Sequence, residues 1–216
     1  MNPSNAQLVH IPVDGIHVEG LLELPAKAQG IVLFAHGSGS SRHSPRNTYV
    51  ARVLHDTGIG TLMPDLLTLA EDLDYHTRFD IDLLTQRLQA VTRWVKTHTP
   101  PTRHLPIGFF GASTGAAAAL RVAAELSDNI HAVVSRGGRP DLAGNHHLAK
   151  VIAPTLLLVG GCDEDVLDLN RDAYTHLPCT KELSIIAGAT HLFEEAGTLE
   201  EAARQAAVWF GQHLKG

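Results

Sequence analysis

With 216 residues, 44% of them hydrophobic and 19% charged, the chain is long enough for one domain over 1–216 that buries roughly 70% of the surface its unfolded form would expose. The formal net charge is −6 with histidines neutral, and no block of Lys or Arg occurs; this excludes nucleic acid as the main partner, because phosphate binding needs a concentrated basic footprint. No apolar run approaches the length of a membrane span, Met1 to Gln7 hold neither a basic region nor an apolar core, and Cys162 and Cys179 are too few for a disulfide framework, so a cytoplasmic protein with free thiols and no membrane partner is expected.

Along the chain, residues 7–11 and 16–24 flank Asp14-Gly15, a tight-turn signal, and predict an antiparallel hairpin. Apolar, β-rich runs then alternate with helical patterns. A strand at Ile31 to Ala35 precedes a helix over about 45–57. A strand at Ile59 to Met63 precedes a helix over about 80–97. The strand ending at Phe110 runs into an alanine-rich helix. Strands follow at His131 to Ser135 and Thr155 to Val159, then a helix over about 165–176, a strand at Leu183 to Ile186 and a last helix over about 199–213. Thr198 and Glu201 have capping-box spacing, and Leu199, Ala203, Ala206, Phe210 and Leu214 share one face of that helix. This is the pattern of an eight-stranded, mostly parallel sheet covered on both faces by helices. Fewer than twenty residues separate Ser135 from Thr155, which leaves no room for a large lid domain and predicts an open site shaped by segment 65–79 and the turn 136–141.

Ligands of such sheets bind at the carboxyl ends of the strands, and several of these ends carry chemistry. Phe34-Ala35 leads into His36-Gly37-Ser38-Gly39, Phe110 into Gly111-Ala112-Ser113-Thr114-Gly115, Val159 into Gly160-Gly161-Cys162-Asp163, and Ile186 into Gly188-Ala189-Thr190-His191. Gly-x-Ser-x-Gly between a strand and a helix is the form of a nucleophile elbow, and the order Ser, Asp, His fits that placement. A dinucleotide loop built on Gly108, Gly111 and Gly115 fails on position, since it lies mid-chain with no acidic residue closing the next strand.

On these four motifs the chain resembles the α/β-hydrolase superfamily, and within it the small hydrolases similar to dienelactone hydrolase, from about residue 16 to 214. The resemblance implies an α/β-hydrolase fold. It departs at the elbow: dienelactone hydrolases proper carry a cysteine there and this chain has Ser113, which points to a general serine esterase.

In that reading Ser113 is the nucleophile, His191 the base and Asp163 the acid that orients the imidazole. Asp165 and Asp141 are the alternative acids. The backbone N–H groups of Ser38 and Thr114 would form the oxyanion hole, so that Thr114→Ala should do little. Arg136 and Arg139 are candidates to hold a substrate carboxylate, or to brace Asp141 and nearby acids. His36 is expected to brace its own loop, His43, His146 and His147 to line the pocket or sit in solvent, and Cys162 to be a packed thiol. No cofactor or metal is expected. The implied substrate is a small ester, thioester or lactone, the alternative is a non-catalytic binding protein on the same scaffold, and the assembly is a monomer or homodimer.

Overall fold

The computed structural model describes residues 6–97 and 101–214, so the reading of Met1 to Asn5 lies outside them. Eight strands form one sheet in the order β1-β2-β4-β3-β5-β6-β7-β8: β1 (Gln7–Val13), β2 (Ile16–Glu23), β3 (Ile31–Ala35), β4 (Gly60–Pro64), β5 (Ile107–Ala112), β6 (Ile130–Arg136), β7 (Thr155–Gly160) and β8 (Lys181–Ile186). The pairs β1–β2 and β2–β4 are antiparallel; every later pair is parallel. Asp14 and Gly15 take φ of 46° and 82°, closing the hairpin with Val13 opposite Ile16. That left-handed pair matches the right-handed twist of the strands it joins.

Helices α1 (Pro45–Asp56), α2 (Leu69–Asp72), α3 (Ile81–Thr97), α4 (Thr114–Glu125), α5 (Asn145–Leu148), α6 (Glu164–His176) and α7 (Thr198–His213) complete the chain. Central β3, Ile-Val-Leu-Phe-Ala, is buried along its whole length, as a parallel strand covered on both faces must be. Its Ile31, Leu33 and Ala35 join one apolar cluster with residues of α3 and α4. Val32 and Phe34 join the other, with Val50 and Leu54 of α1 and Ala203, Ala206 and Phe210 of α7. The edge strand β1 instead alternates buried and exposed residues.

Two expectations differ from what is found. Strand β5 continues through Ala112, which brings the chain to the sheet's edge one residue before Ser113. The capping box at Thr198 and Glu201 does not form. Gly197, at φ 83°, is the N-cap, the Thr198 hydroxyl donates to Glu195 O at 2.7 Å, and Arg204 takes the Glu201 carboxylate at 2.6 and 2.8 Å. A two-pronged guanidinium pair outcompetes a single backbone N–H for that carboxylate. A capping box does close the short helix α2, where Thr68 and Glu71 exchange bonds of 2.8 and 3.2 Å.

Candidate active site

The chain passes from β5 into α4 through Ser113 at φ 50° and ψ −123°, a conformation that costs a non-glycine residue about 1–3 kcal/mol. Although Ser113 occupies the N-cap position, its hydroxyl makes no capping bond, so the ordinary structural use of a serine here is not the one found. The flanking glycines make the turn possible by absence. A Cβ on Gly111 would lie 2.5 Å from Ala116 Cα, and one on Gly115 would lie 2.1 Å from Ala35 O. Backbone bonds fix the elbow: Ser113 O accepts from Ala116 and Arg139 N–H, each at 3.1 Å.

His191 lies in the loop between β8 and α7, with Nδ1 2.7 Å from Asp163 Oδ2. An anion behind Nδ1 places the proton there and leaves Nε2 as the basic nitrogen. Asp163 precedes α6 but does not cap it, so its carboxylate is available to the imidazole. Of the alternative acids, Asp141 forms a two-pronged pair with Arg139 at 2.7 and 2.9 Å, and Asp165 sits exposed in the first turn of α6. The histidine loop is tied by Thr190, whose N–H and hydroxyl both donate to Glu195, at 3.1 and 2.7 Å; these bonds hold the Glu195 carboxyl below its ordinary value. Gly137, at φ 49°, packs against the histidine loop: a Cβ there would crowd His191 O at 3.2 Å while only touching the ring, at 3.5 Å from Nδ1.

The loop after β3 is braced by His36. Its Nε2 accepts from Leu66 N–H at 2.9 Å and its Nδ1 donates to Gly37 O at 3.1 Å, which is the expected bracing role. Burial lowers its pKa, and the Gly37 bond opposes that only in part. Gly37 lets the loop press on the elbow: a Cβ there would be 3.0 Å from Ser113 Cβ. Ser38 N–H, expected as an oxyanion-hole donor, donates here to Thr114 Oγ1 at 3.1 Å. Sequence reasoning treated Thr114 as backbone only. The small hydroxyl residue after the serine was the available signal.

The two arginines part company. Arg139 is taken by Asp141, so it is a brace and not a free anchor, and the carboxylate raises its pKa. Arg136 is 6% exposed with Nε and Nη1 sealed and without a partner, its carbon Cζ 5.3 Å from the centre of the Phe193 ring. Burial, helped by the charge of Arg46, lowers its pKa to about 10, so it stays cationic at neutral pH. Phe193 itself is buried with φ 57°.

A cavity of about 550 Å³ opens at the same edge of the sheet beside the loop carrying Ser38, lined among others by Ser40, His43, Asp65, Leu67 and Leu69. Segment 65–79 and His43 line this cavity, which Ser113, Asp163 and His191 do not border. His146 and His147 lie elsewhere, facing Lys150 and Glu125. Cys162 is exposed, not packed. Among the described residues no cluster of three or more His, Cys, Asp or Glu is arranged to hold a metal, and no helix is long and apolar enough to cross a membrane.

No protein-family model matches the chain. The crystal structure of a dienelactone hydrolase from Anabaena variabilis is 51% identical, with a TM-score of 0.94 over 98% of this chain and 99% of that one. The chain belongs to the dienelactone hydrolase family. A lidless α/β serine hydrolase from Xanthomonas campestris, 21% identical over 98% of this chain and 96% of its own with a TM-score of 0.77, shares the fold. Proteins of two strains of Mycobacterium tuberculosis are 54% identical over 214 residues, 99% of this chain and 48% of theirs, and carry the name "putative phosphoribosyl transferase". This member of the dienelactone hydrolase family therefore spans about half the length of the curated relatives it matches.

Proposed function

We propose that the protein is a serine hydrolase that cleaves small esters, thioesters or lactones through an acyl-Ser113 intermediate. The observation that carries this reading is the 2.7 Å pairing of His191 with Asp163 at the same sheet edge as a serine held at φ 50° with no structural use for its hydroxyl. Ser113 Oγ attacks the substrate carbonyl carbon as its proton passes to His191 Nε2, and the carbonyl electron pair moves onto oxygen. Collapse of that tetrahedral species expels the alcohol, thiol or ring oxygen, which takes the proton from His191. Water, deprotonated by the same nitrogen, then releases the acid and restores Ser113. Asp163 stabilises the imidazolium that forms twice in the cycle. The Thr114 N–H, at the first position of α4 where no intrahelical acceptor exists, serves the oxyanion, with the Ser38 N–H beside it bound to Thr114 Oγ1.

Arg136 supports a preference for substrates that carry a carboxylate. A guanidinium with two nitrogens sealed and no anion is costly, and a substrate carboxylate that reaches the third, Nη2, would supply one. The transferase name belongs to proteins about twice as long as the matched region, and a serine, an imidazole and a carboxylate are the equipment of acyl transfer. No cofactor enters this chemistry.

A fluorophosphonate probe tests the reading. Stoichiometric labelling of Ser113 in the folded protein, lost in Ser113→Ala together with hydrolysis of p-nitrophenyl acetate, is the expected result. An unlabelled Ser113 would make the chain a binding protein on a hydrolase scaffold.

A further inference from the structure

The Ser38–Thr114 bond joins residues 76 positions apart, the two whose N–H groups the serine-hydrolase reading sets at the oxyanion. Thr114 is 1% exposed, and its helix is jammed against the end of β3: Gly115 stands so close to Ala35 O and His36 O that a Cβ would lie 2.1 and 2.6 Å from them. The hydroxyl therefore has a fixed neighbourhood. A threonine hydroxyl offers one proton and two lone pairs. One lone pair takes the Ser38 N–H, and among the described residues no bond from the hydroxyl proton to a protein acceptor accompanies it.

Resting on the serine-hydrolase reading, we infer that the Thr114 hydroxyl is itself an oxyanion donor, relaying the Ser38 N–H to the developing charge. In the tetrahedral species the order is Ser38 N–H to Thr114 Oγ, and Thr114 O–H to the substrate oxygen. No proton is transferred along this chain; each donor keeps its own. Donation by Ser38 polarises the hydroxyl and makes its proton a better donor, and low local polarity strengthens both bonds. Thr114 then contributes twice, through its N–H and through its side chain, and is a catalytic residue. The opposite arrangement is a hydroxyl that merely occupies the Ser38 N–H and must move aside. The two predict opposite signs for the same substitution.

The test compares Thr114→Val, which keeps the shape without the hydroxyl, with Thr114→Ser, which keeps the hydroxyl without the methyl. The readouts are hydrolysis of p-nitrophenyl acetate and inhibition by an alkylboronic acid, which forms a tetrahedral adduct on Ser113. Fluorophosphonate labelling carried to its endpoint counts folded sites. The expected result for Thr114→Val is a kcat lower by about 10- to 100-fold with KM nearly unchanged and boronate affinity lower by a similar factor. Thr114→Ser is expected within a few-fold of the parent on every measure. A Val variant that is as fast as the parent or faster overturns the relay, as does a Ser variant impaired as badly as Val, which would make the methyl group the reason for the threonine. If the parent protein is not labelled at Ser113, the serine-hydrolase reading fails first; if it is labelled and Thr114→Val is unimpaired, the relay alone fails.

Discussion

The carboxylate of Asp163 and the imidazole of His191 meet at 2.7 Å across 28 residues of sequence, and the other two candidate acids point to other work. Asp141 is bound to Arg139 and Asp165 is exposed on α6. Asp163→Asn presents Nδ1 with an amide instead of an anion and favours the wrong tautomer. We expect kcat for p-nitrophenyl acetate to fall by about 10⁴-fold with little change in KM. Asp141→Asn and Asp165→Asn should each retain most of the parent's activity. Loss of activity in Asp141→Asn with Asp163→Asn unaffected would reassign the acid.

Arg136 yields a prediction in which stability and specificity separate. Its Nε and Nη1 have no partner to lose, and replacing a buried charge by an apolar side chain of similar volume is often neutral or stabilising. Arg136→Met should therefore keep or raise the melting temperature, with the contact to Phe193 as the main loss. For an ester bearing a carboxylate, kcat/KM should drop about tenfold, equivalent to roughly 1.4 kcal/mol, while a neutral ester of the same length is unaffected. Equal losses on both esters would confine the guanidinium to supporting the histidine loop.

His36 links the loop after β3 to pH. Burial lowers its pKa in the folded protein, so between the ordinary value of 6.5 and that lowered value the unfolded chain binds a proton the native state refuses. The contribution to stability is thus complete above pH 6.5 and is lost as the pH falls below it, at a slope of up to about 1.4 kcal/mol per pH unit. His55 is shifted the same way by burial, against the pull of Glu23, and adds to the slope. In His36→Gln, urea unfolding at pH 7.5 and 5.5 should show a smaller acid-induced loss than in the parent. An unchanged difference would mean that His36 is not the group being protonated.

The strand ends were legible because apolar runs, turn glycines and polar residues fall in register with the alternation of a parallel sheet. Ser113, Asp163 and His191 all lie just past strands that the sequence marks. What stayed hidden involves choices among partners that only packing settles. Glu201 had the right spacing to cap Thr198, yet Arg204, one turn further on, took its carboxylate. The pairing of Arg139 with Asp141 was one of two readings until the turn after β6 brought them together. The Ser38–Thr114 bond joins the loop after β3 to the start of α4 and has no periodic signature at all. Cys162, expected to be a packed thiol because no helix start or cation was legible beside it, is exposed one residue before the N-cap of α6.

Gly115 and Gly211 show how the same substitution reports on two different physical situations. Gly211 lies within α7, exposed, with nothing within 4 Å of where a Cβ would be. Gly211→Ala lowers the entropy lost on folding and should stabilise the protein by about 0.5–1 kcal/mol. For a chain of this size that raises the melting temperature by about 1–4 °C, readable by calorimetry. Gly115 is also helical, so propensity alone predicts the same gain. Its Cβ would instead strike backbone, Ala35 O at 2.1 Å and Ala35 carbonyl carbon at 2.5 Å, and backbone cannot swing aside as a side chain can. Gly115→Ala should cost at least ~3 kcal/mol, and any folded fraction should lose activity further, because α4 can yield only by retreating from β3 and drawing Thr114 away from Ser38. A Gly115→Ala protein with the parent's melting temperature and kcat would show that the helix and the strand end are not in the contact on which the elbow is built.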